Sequence, residues 1–168
     1  MTDAFAAKSQ SPVRFERTFE APVEDLWALW TTKEGFESWW GPEGFRVEVH
    51  TLELRVGGAL VYDMIASGAE QIATMKAERM PLSHGTRGTF TEIVPLRRLK
   101  IVHAIDFIPG LEPYDNTILL ELRPEGSRVR MVVTVDPHRD PEWTTRAAAG
   151  MESQLTKVPA ALAARRRG

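Results

Sequence analysis

The fold of this chain is decided by residues 13–45, which read VRFERTFEAPVEDLWALWTTKEGFESWWGPEGF. From Val13 to Phe19 the odd-numbered side chains are apolar except at Arg17, and the even-numbered ones are polar, which is typical of a half-buried strand. Ala21-Pro22 ends the strand and begins a helix, because proline at the first helical position gives up an amide that has no partner there. Four side chains of that helix fall at i, i+3, i+4 and i+7 and so share one apolar face, namely Val23, Leu26, Trp27 and Trp30.

A second short helix follows and ends at Trp39-Trp40-Gly41-Pro42. After it the chain predicts an antiparallel sheet. The alternation over Phe45–Leu54 slips near Thr51, which predicts a β-bulge, and Pro124-Glu125-Gly126 predicts a tight hairpin. Further strands are predicted at Leu60–Met64, Gly88–Val94, Leu99–Phe107, Asn116–Leu122 and Val129–Val135.

The last helix has clear start signals, since Asp140 can cap it and Pro141 suits its first position. Its apolar stripe consists of Ala147, Met151, Leu155, Val158 and Leu162, and Pro159 is expected to kink the helix or end its regular part. The stripe would lie across the concave face of the sheet. Alanine fills little volume, so the many alanines of this helix favour a cavity between helix and sheet over a solid core.

An insertion near residues 67–85 interrupts the sheet. Glu70–Arg79 predicts a short helix in which Ile72 and Met75 share a face, and Pro81 ends it. One interpretation is a lid over the cavity, whose Met75 and Met80 adapt to apolar ligands. The other is a loop that packs on the sheet edge or forms a homodimer contact.

Several short motifs occur in a specific order between Val13 and Leu162. They are Ala21-Pro22, the Trp27/Trp30 face, Trp39-Trp40-Gly41-Pro42, Leu54-Arg55-Val56-Gly57-Gly58, Gly88-Thr89-Phe90-Thr91-Glu92-Ile93-Val94-Pro95 and Gly150-Met151-Glu152. Through them the chain resembles the family named after the activator of heat-shock protein 90 ATPase, in the START-like (SRPBCC), pollen-allergen-like superfamily. Members often carry an aromatic residue after the helix glycine, where this chain has Met151, so a different cavity floor is expected.

The resemblance implies an α+β helix-grip fold, in which a curved antiparallel sheet wraps around a long C-terminal helix. We expect one domain over residues 13–164, a loose tail at residues 1–12 and a basic tail at residues 165–168. The chain has 168 residues, is 43% hydrophobic and 26% charged, and carries a net charge of -2, which disfavours nucleic-acid binding. No apolar run reaches the length of a membrane span, no cysteine is present, and a cytoplasmic location is expected.

The candidate ligand-binding residues follow from the faces of the strands and of the last helix. Tyr62 offers a hydroxyl that a ligand can bind, and His103 falls on an apolar face, where we expect a pKa near neutral. Trp39 and Trp40 are adjacent, so they are expected not to face inward together; one packs beneath the helices and the other lines the cavity entrance. The predicted lining is Trp40, Tyr62, Met64, His103, Phe107, Met151 and Leu155.

Three functions are compatible with these residues. The first is binding of a small apolar or amphipathic molecule, without a metal or a cofactor. The second is a cofactor-independent cyclase, dehydratase or hydrolase that uses His103, as the superfamily resemblance allows. The third is an interaction module like the family's chaperone-activating namesake. The four histidines lack metal-ligand spacing, and His138 near Asp140 and Glu142 is interpreted as part of a turn and helix cap.

Overall fold

A computed structural model describes residues 11–106, 108 and 110–167, and its strands form one curled antiparallel sheet. Seven strands lie in the described part of the chain in the order β1-β7-β6-β5-β4-β3-β2, so that β1 and β2 are the edges. Their bounds are β1 Val13–Phe19, β2 Phe45–Leu52, β3 Ala59–Ala66, β4 Ser83–Val94, β5 Arg98–Ile105, β6 Tyr114–Glu125 and β7 Arg128–Val135. The predicted α+β class with a curved antiparallel sheet is confirmed.

The helices accompany the sheet in three groups. Two short ones connect β1 to β2, one lies in the insertion between β3 and β4, and two follow β7. Their bounds are α1 Val23–Thr31, α2 Lys33–Glu37, α3 Ala69–Ala77, α4 Pro141–Leu155 and α5 Val158–Arg167. None of the helices described here is long and apolar enough to cross a membrane.

The first strand and first helix follow the predicted pattern. Phe15 is buried on the inner face of β1, whereas its neighbours Arg14 and Glu16 are exposed. Pro22 is the N-cap residue of α1, one position before the first helical position predicted for it, and the helix buries Leu26 and Trp30 completely. Burial of these large side chains against the sheet stabilises a helix too short to persist alone in water.

Strand and helix boundaries differ from the prediction where long-range pairing extends an element. β4 begins at Ser83 rather than Gly88, because Ser83 pairs with Ile65 of β3. The insertion helix α3 ends at Ala77, and the chain leaves it through Arg79 at a φ of 56°. The bulge in β2 is confirmed as a register shift between Val49 and Thr51.

The C-terminal helix is interrupted shortly before Pro159, as predicted. Asp140 Oδ1 accepts the backbone N–H of Glu142 at 3.0 Å, which confirms the cap at the start of α4. α4 ends at Leu155, and α5 begins with Val158 directly before Pro159. Residues 165–167, expected in a basic tail, continue α5, and Arg166 Nη2 donates to the carbonyl of Glu20 at 2.7 Å.

The adjacent tryptophans are both buried, which corrects the expectation that they do not face inward together. They lie in the turn after α2, where consecutive side chains need not point to opposite sides. Trp39 Nε1 donates to the carbonyl of Leu29 beneath α1 at 2.8 Å, whereas Trp40 reaches the cavity. Trp30 packs edge-on against both rings, at centroid distances of 5.1 and 5.4 Å. The two rings therefore divide as predicted between helices and cavity, although both are buried.

Candidate functional site

A cavity of about 630 Å³ lies between the concave face of the sheet and α4. This volume is typical of sites that enclose a small organic molecule. The wall is mostly apolar and includes side chains from β1, β3, β5, β6, β7 and α4. Representative members are Phe15, Met64, Ile105, Ile118, Val135 and Met151. The open space results from a curved sheet that α4 covers without filling.

Five of the seven predicted lining residues border the cavity. They are Trp40, Tyr62, Met64, His103 and Met151. Leu155 is buried but does not border the cavity: it is the final residue of α4 and packs in the hydrophobic core. The i, i+4 stripe of α4 therefore borders the cavity at Met151 but no longer at Leu155, one turn further along the helix. Phe107 lies outside the described residues.

The polar centre of the cavity is a hydrogen-bonded group of three side chains. Trp40 Nε1 donates to Tyr62 Oη at 3.1 Å, and Tyr62 Oη lies 3.1 Å from His103 Nε2. All three side chains are buried. The Tyr62 hydroxyl was predicted to need a partner, which could be a ligand, and the protein itself provides two.

Tyr62 and His103 meet across a strand on which Gly88 leaves space beside His103. These residues lie on β3 and β5, which are separated by β4, so the tyrosine must reach across the middle strand. Gly88 of β4 pairs directly with His103. A Cβ at this glycine would lie 3.0 Å from Ile101 Cγ2 and 3.5 Å from His103 Cδ2. A side chain at this position of β4 would therefore crowd Ile101 and the ring of His103.

Burial determines the charge of this group. Desolvation lowers the pKa of His103 from 6.5 to about 4 and raises the pKa of Tyr62 above its ordinary value. His103 was expected to have a pKa near neutral; that expectation is wrong because the residue is buried without an anionic partner among the described residues. Both side chains are uncharged at pH 7, and His103 is a weak base there.

A second polar region adjoins the first on β6 and the segment after β7. Asn116 is 4% exposed, and its Nδ2 donates to the carbonyls of Asp136 and Pro137 at 3.0 and 3.4 Å. His138 is also buried, with Nδ1 2.6 Å from Tyr114 Oη. Burial lowers the pKa of His138. The buried groups of this region are thus uncharged, and the exposed carboxylate of Asp136 borders the cavity beside them.

Sequence reasoning missed both residues as parts of the cavity wall. Asn116 has the same parity as Ile118 and Leu120 on β6, so the period of the strand could have placed it on the inner face. No pattern in the residues next to His138 indicates that its side chain is buried. Its burial depends on Tyr114, which lies 24 residues earlier in the chain.

The mouth of the cavity is bordered by the insertion and by the first half of α4. Met75, Arg79 and Met80 contribute from the insertion, and Trp143 and Arg146 from α4. Arg79, Met80 and Arg146 are exposed. The mouth is therefore amphipathic, whereas the buried polar side chains of the interior, Tyr62, His103 and Asn116, are uncharged.

The arrangement offers hydrogen bonds and apolar contact rather than a metal site. No group of three histidine, cysteine or acidic side chains close enough to hold a metal ion occurs in residues 11–106, 108 and 110–167. His50, the one histidine outside the cavity wall, pairs with Asp63 at 2.9 Å on the outer face. The described residues can accordingly orient a small molecule through a few polar contacts.

Comparisons with known proteins match both the sequence and the fold. The sequence pattern of the family described as Activator of Hsp90 ATPase homolog 1-like protein matches residues 20–163. No sequence match is found among curated proteins.

Solved structures of similar fold come from several bacteria. Protein CV1439 of Chromobacterium violaceum is 21% identical, with a TM-score of 0.70 over 90% of this chain and 97% of that protein. Protein SPO3351 of Silicibacter pomeroyi is also 21% identical, with a TM-score of 0.72 over 92% and 99% of the two chains. Protein Ms6760 of Mycobacterium smegmatis is 17% identical, with a TM-score of 0.71 over 94% of each. At these identities the similarity establishes the fold alone.

Proposed function

We propose, from the premise that this chain belongs to the activator of Hsp90 ATPase homolog 1-like family, that its cavity binds one small apolar or amphipathic molecule. The observation that carries the proposal is the cavity of about 630 Å³ with a mostly apolar wall. Transfer of an apolar molecule from water into such a space is favourable in proportion to the apolar area removed from water.

The helix that covers the sheet supports this function through its small residues. Ala147, Ala148 and Gly150 of α4 all border the cavity. A Cβ added at Gly150 would meet no atom within 4 Å, so a larger residue there would find open space. Protein cores are normally filled to the density of organic crystals, and a helix that leaves this much room favours a ligand site.

The enzyme hypothesis has weaker support in the site. A general base is most effective when its pKa lies near the working pH, whereas burial lowers the pKa of His103 to about 4. Tyr62, the hydrogen-bond partner of His103, is itself bonded to Trp40, whose indole N–H only donates, so these neighbours provide no second base. Ligand binding uses the same groups without requiring a change in their protonation.

The interaction-module hypothesis predicts a filled cavity beside an exposed apolar patch on the insertion. Met80 and Leu82 of the insertion are exposed, at 47% and 36%. The cavity beside them is open rather than filled. The open cavity favours ligand binding, and a homodimer contact through the insertion remains a prediction.

A matched pair of substitutions on α4 tests the proposal. Ala147 borders the cavity, whereas Ala149 on the same helix is exposed to solvent. We expect the neutral dye N-phenyl-1-naphthylamine to bind the native protein with increased fluorescence. Ala147→Trp should weaken this binding at least about tenfold, because the indole occupies the space that the dye needs and excludes its apolar contacts.

Ala149→Trp is the control, since it introduces the same side chain outside the cavity. It should leave the dissociation constant of the dye unchanged within about twofold, as expected for surface substitutions. Equal dye binding by both variants would show that the dye occupies another surface, and the absence of dye binding by the native protein would contradict the proposed function.

A further inference from the structure

Two buried polar side chains lie side by side on the otherwise apolar inner face of the sheet. His103 of β5 and Asn116 of β6 are direct partners in the antiparallel register. They are 5% and 4% exposed, and both border the cavity. Directly opposed residues of antiparallel strands project to the same face with Cβ atoms about 5 Å apart. One polar atom of a ligand can therefore contact both.

The orientation of the Asn116 amide is determined by its protein partners. Its Nδ2 donates to the carbonyls of Asp136 and Pro137, which can only accept. Its Oδ1 consequently faces away from them, and it has no hydrogen-bond partner among the described residues. An amide oxygen only accepts, so this atom requires a donor.

The pair formed by Tyr62 and His103 has the opposite requirement. Neutral tyrosine and neutral histidine carry one exchangeable proton each, two in all, and the contact between Oη and Nε2 uses one of them. If Tyr62 donates, the remaining proton is on His103 Nδ1; if His103 donates, it is on Tyr62 Oη. Trp40 changes neither case, because its indole N–H donates to Tyr62. In both tautomers one donor remains that no other described residue accepts.

We infer that the ligand carries a hydroxyl group that donates to Asn116 Oδ1 and accepts the remaining proton of the Tyr62–His103 pair. This inference rests on the proposed function, because it specifies which molecule the cavity prefers. A hydroxyl is the smallest neutral group that donates and accepts through a single atom. The ligand class is therefore an alcohol or phenol whose remaining surface is apolar.

The same geometry disfavours other polar groups. A carboxylate cannot donate to Asn116 Oδ1, and its charge would be desolvated beside two uncharged partners. The arginines in the cavity wall of the described chain, Arg79 and Arg146, are both exposed, and Arg146 pairs with Glu142 at 3.2 Å. A hydrocarbon or a methyl ether fits the apolar wall but leaves Asn116 without a donor.

Three naphthalenes of similar shape separate these possibilities by calorimetry at pH 7. We expect 2-naphthol to bind at least about tenfold more tightly than 2-methoxynaphthalene, because the ether oxygen can accept but cannot donate, so Asn116 Oδ1 is left buried without a donor. We expect 2-naphthoate to bind more weakly than the ether, because its charge is desolvated.

Two substitutions on different strands assign the preference to this site. Asn116→Leu should reduce the ratio of the 2-naphthol and 2-methoxynaphthalene affinities to about threefold or less, since it removes the acceptor that only the hydroxyl can use, and the affinity for the ether should change little, which reports that the cavity is intact. His103→Phe removes the imidazole whose pair with Tyr62 donates to either oxygen, so it should lower the affinity for both compounds. His50→Phe replaces a histidine on the outer face and should retain the native ratio.

Each result bears on one of the two proposals. If 2-naphthol and the ether bind equally well, if the preference survives Asn116→Leu, or if His103→Phe leaves both affinities unchanged, hydroxyl recognition by His103 and Asn116 is wrong and apolar binding stands. Tighter binding of 2-naphthoate than of 2-naphthol would likewise overturn it. If none of the three compounds binds, the proposed function fails together with the inference.

Discussion

At the scale of single residues, the protonation state of His103 is determined by its surroundings rather than by the ordinary pKa of histidine. The residue lies on the same face of β5 as Ile101 and Ile105, and all three are buried. Its single hydrogen-bond partner among the described residues is the Tyr62 hydroxyl. Because no charged group there compensates for desolvation, the neutral imidazole is favoured in the folded protein.

This shift makes the free energy of unfolding depend on pH. The unfolded chain protonates His103 near pH 6.5 and the folded chain only near pH 4, so the unfolded state binds more protons between these values. The stabilising contribution is complete above pH 6.5 and is lost as the pH falls toward 4. At about 1.4 kcal/mol per pKa unit, its full size is roughly 3 kcal/mol.

Urea unfolding at about pH 7 and about pH 4.5 measures this contribution. The native protein should lose more stability between the two values than His103→Phe, by about 2–3 kcal/mol. His84 and His138 also have lowered pKa values and contribute the same sign in both proteins, so the comparison isolates His103. Parallel pH profiles for the two proteins would show that His103 is not kept neutral by the fold.

At the scale of elements, α3 is attached near its N-terminal end to the turn before β2, and its side chains are at most half-buried. The backbone N–H groups of Ser67 and Gly68 donate to the carbonyl of Gly44 at 2.8 and 2.9 Å. Gln71 Nε2 adds a contact of 3.4 Å to the carbonyl of Glu43. No side chain of α3 is buried. A helix that buries no side chain and lies beside the cavity is suited to open and close its mouth.

Hydrogen exchange tests this interpretation of α3. Its amides should exchange at least about tenfold faster than those of α1, because α1 buries Leu26 and Trp30 whereas α3 buries no side chain. Saturation with N-phenyl-1-naphthylamine should slow exchange in α3 through contact of the dye with Met75 and Met80, which border the cavity. Exchange in α1 serves as the control. Unchanged exchange in α3 on dye binding would favour a loop that only decorates the sheet edge.

At the scale of the whole molecule, the cavity couples ligand binding to folding. Hydrogen bonds and an ion pair attach the C-terminal part of α4, residues 152–154, to the rest of the protein. Gly41 N–H donates to Gln154 Oε1 at 2.9 Å, Glu43 N–H donates to Ser153 Oγ at 2.8 Å, and Arg17 pairs with Glu152 at 2.6 Å. A ligand that fills the cavity adds contacts that exist only in the folded state.

The free energy of unfolding should therefore rise with dye concentration. At a free dye concentration about one hundred times the dissociation constant, the increase should be about 2.7 kcal/mol. Urea unfolding of the native protein and of Ala149→Trp should show it, and Ala147→Trp should not at the same concentrations. An equal increase in all three proteins would place the stabilising dye outside the cavity.

Much of the fold could be predicted from local patterns. The alternation in β1, the bulge in β2 and the cap of α4 each depend on a few consecutive residues, and each is confirmed. Errors occur where distant chain segments meet. β4 starts at Ser83 because β3 offers it a partner, and no pattern near Ser83 indicates this pairing.

The sequence by itself determined the α+β class and, through the parity of strand positions, which face carries Tyr62 and His103. Parity is a local property, because successive side chains of a strand point to opposite faces. Only the tertiary structure decided that Tyr62 reaches His103 across β4, that Asn116 lies beside His103, and that Leu155 does not border the cavity. These outcomes depend on strand order, on register and on where α4 ends, so the partners and charges of the site follow from contacts between residues far apart in sequence.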